Sequence, residues 1–108
     1  MKAIYKKVES INPEIIEIED SLNSLQKCVD GHIEMLCLSE NIVLLLDEEG
    51  KIKNKQPNFA LQIPERNFLD VIVGDVLILG VNEPEFRSLT DEECEKYLKI
   101  FSERNIIL

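Results

Sequence analysis

The chain has 108 residues, 44% of them hydrophobic, enough for one domain around one core. Its 12 Lys and Arg stand against 21 Asp and Glu, a net charge of −9. That is the wrong sign for displacing counter-ions from nucleic-acid phosphates and the right one for attracting a basic protein. No apolar run approaches the roughly 18 residues of a membrane span, and the N-terminus MKAIYKKVES leads into no signal-peptide core.

Residues 2–8 alternate, with Ala3, Tyr5 and Lys7 on one side and Ile4, Lys6 and Val8 on the other; the lysines predict an edge or half-exposed strand. Asn12-Pro13 is a turn, and the β-branched segment 14–19 after it reads as the hairpin partner. Asp20 or Ser21 caps a helix over 21–29 whose Leu22, Leu25, Cys28 and Val29 share a face. Asp30-Gly31 ends it, the glycine taking the left-handed conformation. Residues 32–38 alternate again, and 42–46, Ile-Val-Leu-Leu-Leu, form a fully apolar central strand. Asp47-Glu48-Glu49-Gly50 then reads as a hairpin tip with positive φ at Gly50, and 51–53 as the returning strand.

Residues 54–69 carry little pattern. Pro57-Asn58 opens a short helical turn through Phe59, Ala60 and Leu61, which Pro64 stops. Residues 69–79 give the strongest strand signal, with Gly74-Asp75 a bulge or tight bend inside it. Thr90 and Glu93 form a capping box, after which Cys94, Tyr97, Leu98 and Phe101 recur at i, i+3, i+4 and i+7. The predicted class is α+β: a mainly antiparallel mixed sheet with two helices packed on it, in the order β-β-α-β-β-β-β-α, as a single domain over 1–108. The apolar tail Asn105-Ile106-Ile107-Leu108 needs a surface to pack on, and a partner subunit of a homo-oligomer is one candidate.

Few of these residues suit catalysis or metal binding. The 47–51 segment lacks the alternating oxygen ligands of a calcium loop, because Gly, Lys, Ile and Lys follow Glu49. It also lacks the glycines and Gly-Lys-Ser/Thr ending of a phosphate cradle. Cys28, His32 and Cys37 have no zinc-site spacing and no fourth ligand. The three cysteines, including Cys94, are an odd number that points to reduced thiols in a cytoplasm. No nucleophile-elbow, metalloprotease or dinucleotide signature is present. The reading is therefore no enzyme, no cofactor and no metal.

Two binding surfaces are predicted. Phe59, Phe68 and Phe86 with Arg66 and Arg87 would stack a base and hold a phosphate if the fold brings them together. Asp75, Glu83, Glu85, Asp91, Glu92 and Glu95 would form an acidic surface for a basic partner.

The order of the opening strand pair, LQKCVDGHIEML (25–36), DEEGK (47–51), Pro57-Asn58, DVIVGDVLILG (70–80) and SLTDEE (88–93) resembles a family of small proteins catalogued as a domain of unknown function. That family is carried by phages, plasmids and integrative elements of Gram-positive bacteria. Its members place Gly-Gly-aromatic where this chain has Asp30-Gly31-His32. The resemblance implies an accessory protein of a mobile element in the bacterial cytoplasm, with no catalytic residues to carry over. Three functions follow as expectations: inhibition of a host defence protein (anti-CRISPR or antirestriction type) through a basic surface on that partner; sequestration of a nucleotide immune signal; or a regulatory or replication role in the element.

Overall fold

The computed structural model describes residues 1–108. In chain order the elements are β1 (Lys2–Lys6), β2 (Glu14–Glu17), α1 (Leu22–Val29), β3 (Ile33–Cys37), β4 (Ile42–Asp47), β5 (Pro57–Ile63), a 3-10 turn (Pro64–Arg66), β6 (Phe68–Val73), β7 (Val76–Asn82), β8 (Glu85–Arg87), α2 (Asp91–Ile100) and β9 (Asn105–Ile107). A first, six-stranded sheet runs β2-β1-β7-β4-β3, with β8 pairing on β7 past the end of β1, and every pair is antiparallel. A second, three-stranded sheet runs β6-β5-β9; β5 pairs antiparallel with β6 and parallel with β9. The α+β class and its mainly antiparallel sheet with two helices hold, with more strands than the sequence pattern indicated.

The apolar runs in β4 and β7 have a packing cause. On one face of the first sheet, Val43, Leu45, Leu77 and Leu79 meet Leu25 and Val29 of α1. On the other, Ile4, Leu44 and Ile78 meet Phe59, Leu61 and Ile72 of the second sheet and Cys94, Tyr97 and Phe101 of the α2 segment. A strand covered on both faces can afford no polar alternation.

Ser21 caps α1 by accepting from the Ser24 amide, and Thr90 and Glu93 make the reciprocal capping box of α2.

Several expectations give way to the structure. β1 is an interior strand between β2 and β7, and Lys6 is wholly buried rather than set at an edge. Residues 57–61 are strand, not a helical turn: Phe59, Leu61 and Ile63 alternate into the core. The 69–79 run is two strands in different sheets, turned at Gly74, whose φ of 77° suits glycine. The left-handed residue ending α1 is Asp30 rather than Gly31. The C-terminal tail packs within its own chain as β9, burying Ile106 beside Leu61.

Phe101 closes α2 and is 0% exposed, edge-on to Phe59 with ring centroids 5.4 Å apart. Truncating it leaves a cavity between the two sheets. Phe101→Ala should cost about 3–5 kcal/mol in urea denaturation, a large fraction of a typical domain's stability. A loss below about 1 kcal/mol would place the ring outside the cooperative core.

Candidate functional site

The segment after β4 is the crossing between the two sheets. No hairpin forms there: β4 pairs with β3 and β7, and 51–54 is turn rather than strand. Gly50 has no positive φ; its constraint is space, since an added Cβ would lie 2.9 Å from Val73 Cγ2. Asn54, at φ 57°, makes the left-handed turn instead.

This crossing is organised by one buried carboxylate. The Asp47 side chain is 0% exposed. Its Oδ1 accepts from the Glu49 amide at 2.9 Å, and its Oδ2 meets Lys53 Nζ and Lys55 Nζ, each at 2.9 Å. Burial alone would raise the Asp47 pKa; the hydrogen bonds from Lys55, Lys53 and the Glu49 amide outweigh it and hold the carboxyl at about 2. The fit against α1 is tight, for a Cβ on Gly31 would sit 2.4 Å from Asp47 Cγ. Lys55 also donates to the carbonyls of Val29 (2.9 Å) and Asp30 (2.7 Å), groups left open at the helix end. Its stem lies against Gly74, where an added Cβ would come within 3.0 Å of Lys55 Cδ. One lysine thus fastens α1, the crossing and the β6–β7 bend.

A cleft of about 180 Å³ opens here, lined by Val8, Val29, Asp30, Lys55, Gln56, Gly74 and Asp75. Asp75 accepts from the Val8 amide at 2.9 Å. Beside it Tyr5 donates to the Cys28 carbonyl at 2.7 Å, its phenol pushed up to about 12 by burial and then by the Asp75 carboxylate. Burial, with Asp75 adding, also pushes the Cys28 thiol up, which makes it a poor nucleophile near neutral pH. No three His, Cys, Asp or Glu side chains are grouped to hold a metal ion.

The residues expected to hold a nucleotide are dispersed. Phe59 is buried in the core between the sheets and Phe68 packs against that core, while Phe86 packs on the α1 side of the first sheet. Arg66 donates to the Cys37 carbonyl, and Arg87 forms a forked ion pair with Glu93 at 2.8 and 2.9 Å. Of five surface clefts, one touches Phe59 and none touches the other four residues.

The six acids divide as well. Asp75 lies before β7, while Glu83 and Glu85 lie beyond its seven residues, about 20 Å of strand away. Glu83 and Glu85 share an end of the molecule with the first turns of α2. There Arg87 of β8 grips Glu93, and Lys2 pairs with Asp91 at 2.7 Å. Glu83, Glu85, Glu92 and Glu95 are exposed and have no ion pair; the i,i+4 lysines on α2 do not close on them. The basic side chains are mostly engaged within the fold: only Lys27, Lys96 and Lys99 lack a polar partner.

Three polar residues that the sequence pattern places on an edge strand, at a hairpin tip and in a short turn are buried instead: Lys6, Asp47 and Asn58. Lys6 Nζ donates to the carbonyls of Ile11 (2.7 Å) and Phe101 (2.5 Å). Burial, and then the Arg104 guanidinium, push its pKa down to about 8. Asn58 donates to the carbonyls of Lys6 and Gly74, tying β5 to both sides of the crossing. For Lys6 the available signal was its inward register between Ile4 and Val8.

These features define a small α+β domain whose two sheets are joined by an internal ion-pair network and whose free charge is acidic. The chain belongs to the family described as Domain of unknown function (DUF3846), whose model matches residues 1–102, all elements except β9. No curated protein and no solved structure matches it.

The depressed Asp47 pKa has a definite sign. Its folded value of about 2 lies below the ordinary 3.8, so its stabilisation is present above about pH 4 and is lost as pH falls towards 2. The shift is worth about 2 kcal/mol. Urea midpoints measured from pH 5 downward should fall, and Asp47→Asn should lessen that dependence, leaving the share of Glu93, whose carboxyl the Arg87 hydrogen bond also holds at about 2. An unchanged pH slope in the variant would show that Asp47 is not the group responsible.

Proposed function

We propose that the protein is a non-catalytic accessory protein of a phage or another mobile element of Gram-positive bacteria. It acts in the host cytoplasm by binding a basic surface on a defence protein, of the anti-CRISPR or antirestriction kind. The observation that carries this reading is the disposition of charge. Nine of the twelve basic side chains have a polar partner within the chain, whereas Glu83, Glu85, Glu92 and Glu95 stand exposed without ion pairs where β8 meets α2, with Lys96 and Lys99 the unpaired cations on that helix.

An array of carboxylates held on a strand connection and a capped helix turn imitates the charge of a phosphate backbone. It is pre-organised for a groove that ordinarily receives nucleic acid. Lys2–Asp91 and Arg87–Glu93 fix the local backbone, so docking orders little new structure. A non-catalytic mode fits the elevated Cys28 and Tyr5 pKa values, which leave neither group ready as a nucleophile or base. The alternative, sequestration of a nucleotide, would require a cleft shared by the dispersed phenylalanines and arginines.

The test is capture of host proteins on immobilised protein at low and high salt. Wild type should retain a basic partner at low salt and release it as salt rises. Reversal of Glu83, Glu85 and Glu92 to Lys should abolish retention while melting stays near that of wild type, because all three side chains are exposed. Absence of any basic partner on wild type at low salt would overturn the proposal.

A further inference from the structure

No helix or strand covers the outer face of the second sheet, which Val8 and Arg104 border beside Ala60 and Val71. Register puts Leu69, Gln62 and Ile107 in one row across β6, β5 and β9, and Val71, Ala60 and Asn105 in the next. The core-facing set is the alternate one, with Leu61 and Ile106 buried. Leu69, Val71 and Ile107 are 72%, 46% and 69% exposed, too much for β-sheet side chains that another element covers.

None of these six outward positions carries a charge, although the chain as a whole carries −9. A basic partner would find no carboxylate here. A second copy of the chain, repelled by the acids elsewhere, can approach closely only on an uncharged face. We infer that the outer face of the β6-β5-β9 sheet is a self-association surface, on which two copies of this chain pack sheet against sheet.

The residue pattern is self-complementary. A two-fold axis along the strands over β5 exchanges β6 and β9, so each Leu69 meets the other copy's Ile107 and the two Gln62 amides face one another. That reciprocity is what an isologous interface demands. Facing sheets pack about 10 Å apart with their apolar side chains between them. The parallel addition of β9 to β5 completes the surface, since Ile107 supplies one of its three large apolar side chains.

This inference is independent of the acidic surface, and salt separates the two. Screening should strengthen packing between two molecules of charge −9 and weaken docking onto a basic partner. Sedimentation velocity on the purified chain over a wide concentration range should show a monomer–dimer equilibrium that shifts towards dimer as salt rises. Leu69→Glu and Ile107→Glu, made separately, should each give a monomer at every concentration with unchanged melting, since both side chains project into solvent. Glu92→Lys, on the acidic surface, should dimerise at least as well as wild type. A wild-type chain that stays monomeric at the highest concentration, or glutamate variants that dimerise like wild type, would overturn the inference.

Discussion

A carboxylate with no exposed surface needs cations and donors close by, because desolvating an unpaired charge is far more costly than any single contact can offset. Asp47 meets that demand with Lys53, Lys55 and the Glu49 amide. Meeting it fixes the path of the chain between the two sheets. The sequence from Asp47 to Lys55 winds through a turn so that both lysines point back at the acid, and the next residues begin β5. Lys55 carries the constraint outward: its ammonium closes the end of α1, and its stem lies on the bend that separates β6 from β7. Glycine at 31, 50 and 74 is then a matter of room, with the left-handed φ an added reason at Gly74.

A second internal cation works on the other side of the same crossing. Lys6 joins the loop after β1 to the end of α2, and its own carbonyl receives the Asn58 amide. The lysine side chain also lies over the Phe59 ring, 5.7 Å from its centroid, so the apolar core and the polar links meet at one strand. Replacing an ion pair by apolar groups is often neutral, but removing one partner is not. Loss of one member of the network therefore costs more than loss of the pair.

Much of this was legible in the residues. The amphipathic helices, their N-terminal caps and the central apolar strand β4 followed from periodicity, because each depends on neighbours a few positions away. The second sheet was not legible, for physical reasons. Phe59, Leu61 and Ile63 alternate, yet Pro57 and Pro64 bracket them and suggest a broken turn. The apolar run from 69 to 79 spells one strand, and only the tertiary pairing shows that its halves belong to different sheets. Lysine is so rarely buried that Lys6 reads as an edge residue until the carbonyls of Ile11 and Phe101 are seen beside it. The binding residues were harder still. Phe59 is drawn into the core and Phe86 to the other side of the sheet, and Arg87 is taken up by its pair with Glu93 of α2.

The proposed acidic decoy would need a scaffold that does not shift, and the Asp47–Lys55 pair is what ties α1, the crossing and the start of β5 together. The direct test is a double-mutant cycle on Asp47→Asn and Lys55→Met, read as unfolding free energies in urea. Each single variant removes one charge of the Asp47–Lys55 pair, leaving Asp47 with Lys53 and the Glu49 amide or Lys55 with the Val29 and Asp30 carbonyls, so each should destabilise the domain, and the pair together should cost less than the sum by about 1–3 kcal/mol. Single-mutant costs that simply add would contradict the account, since Asp47 and Lys55 would then contribute independently and no ion-paired junction would hold the two sheets.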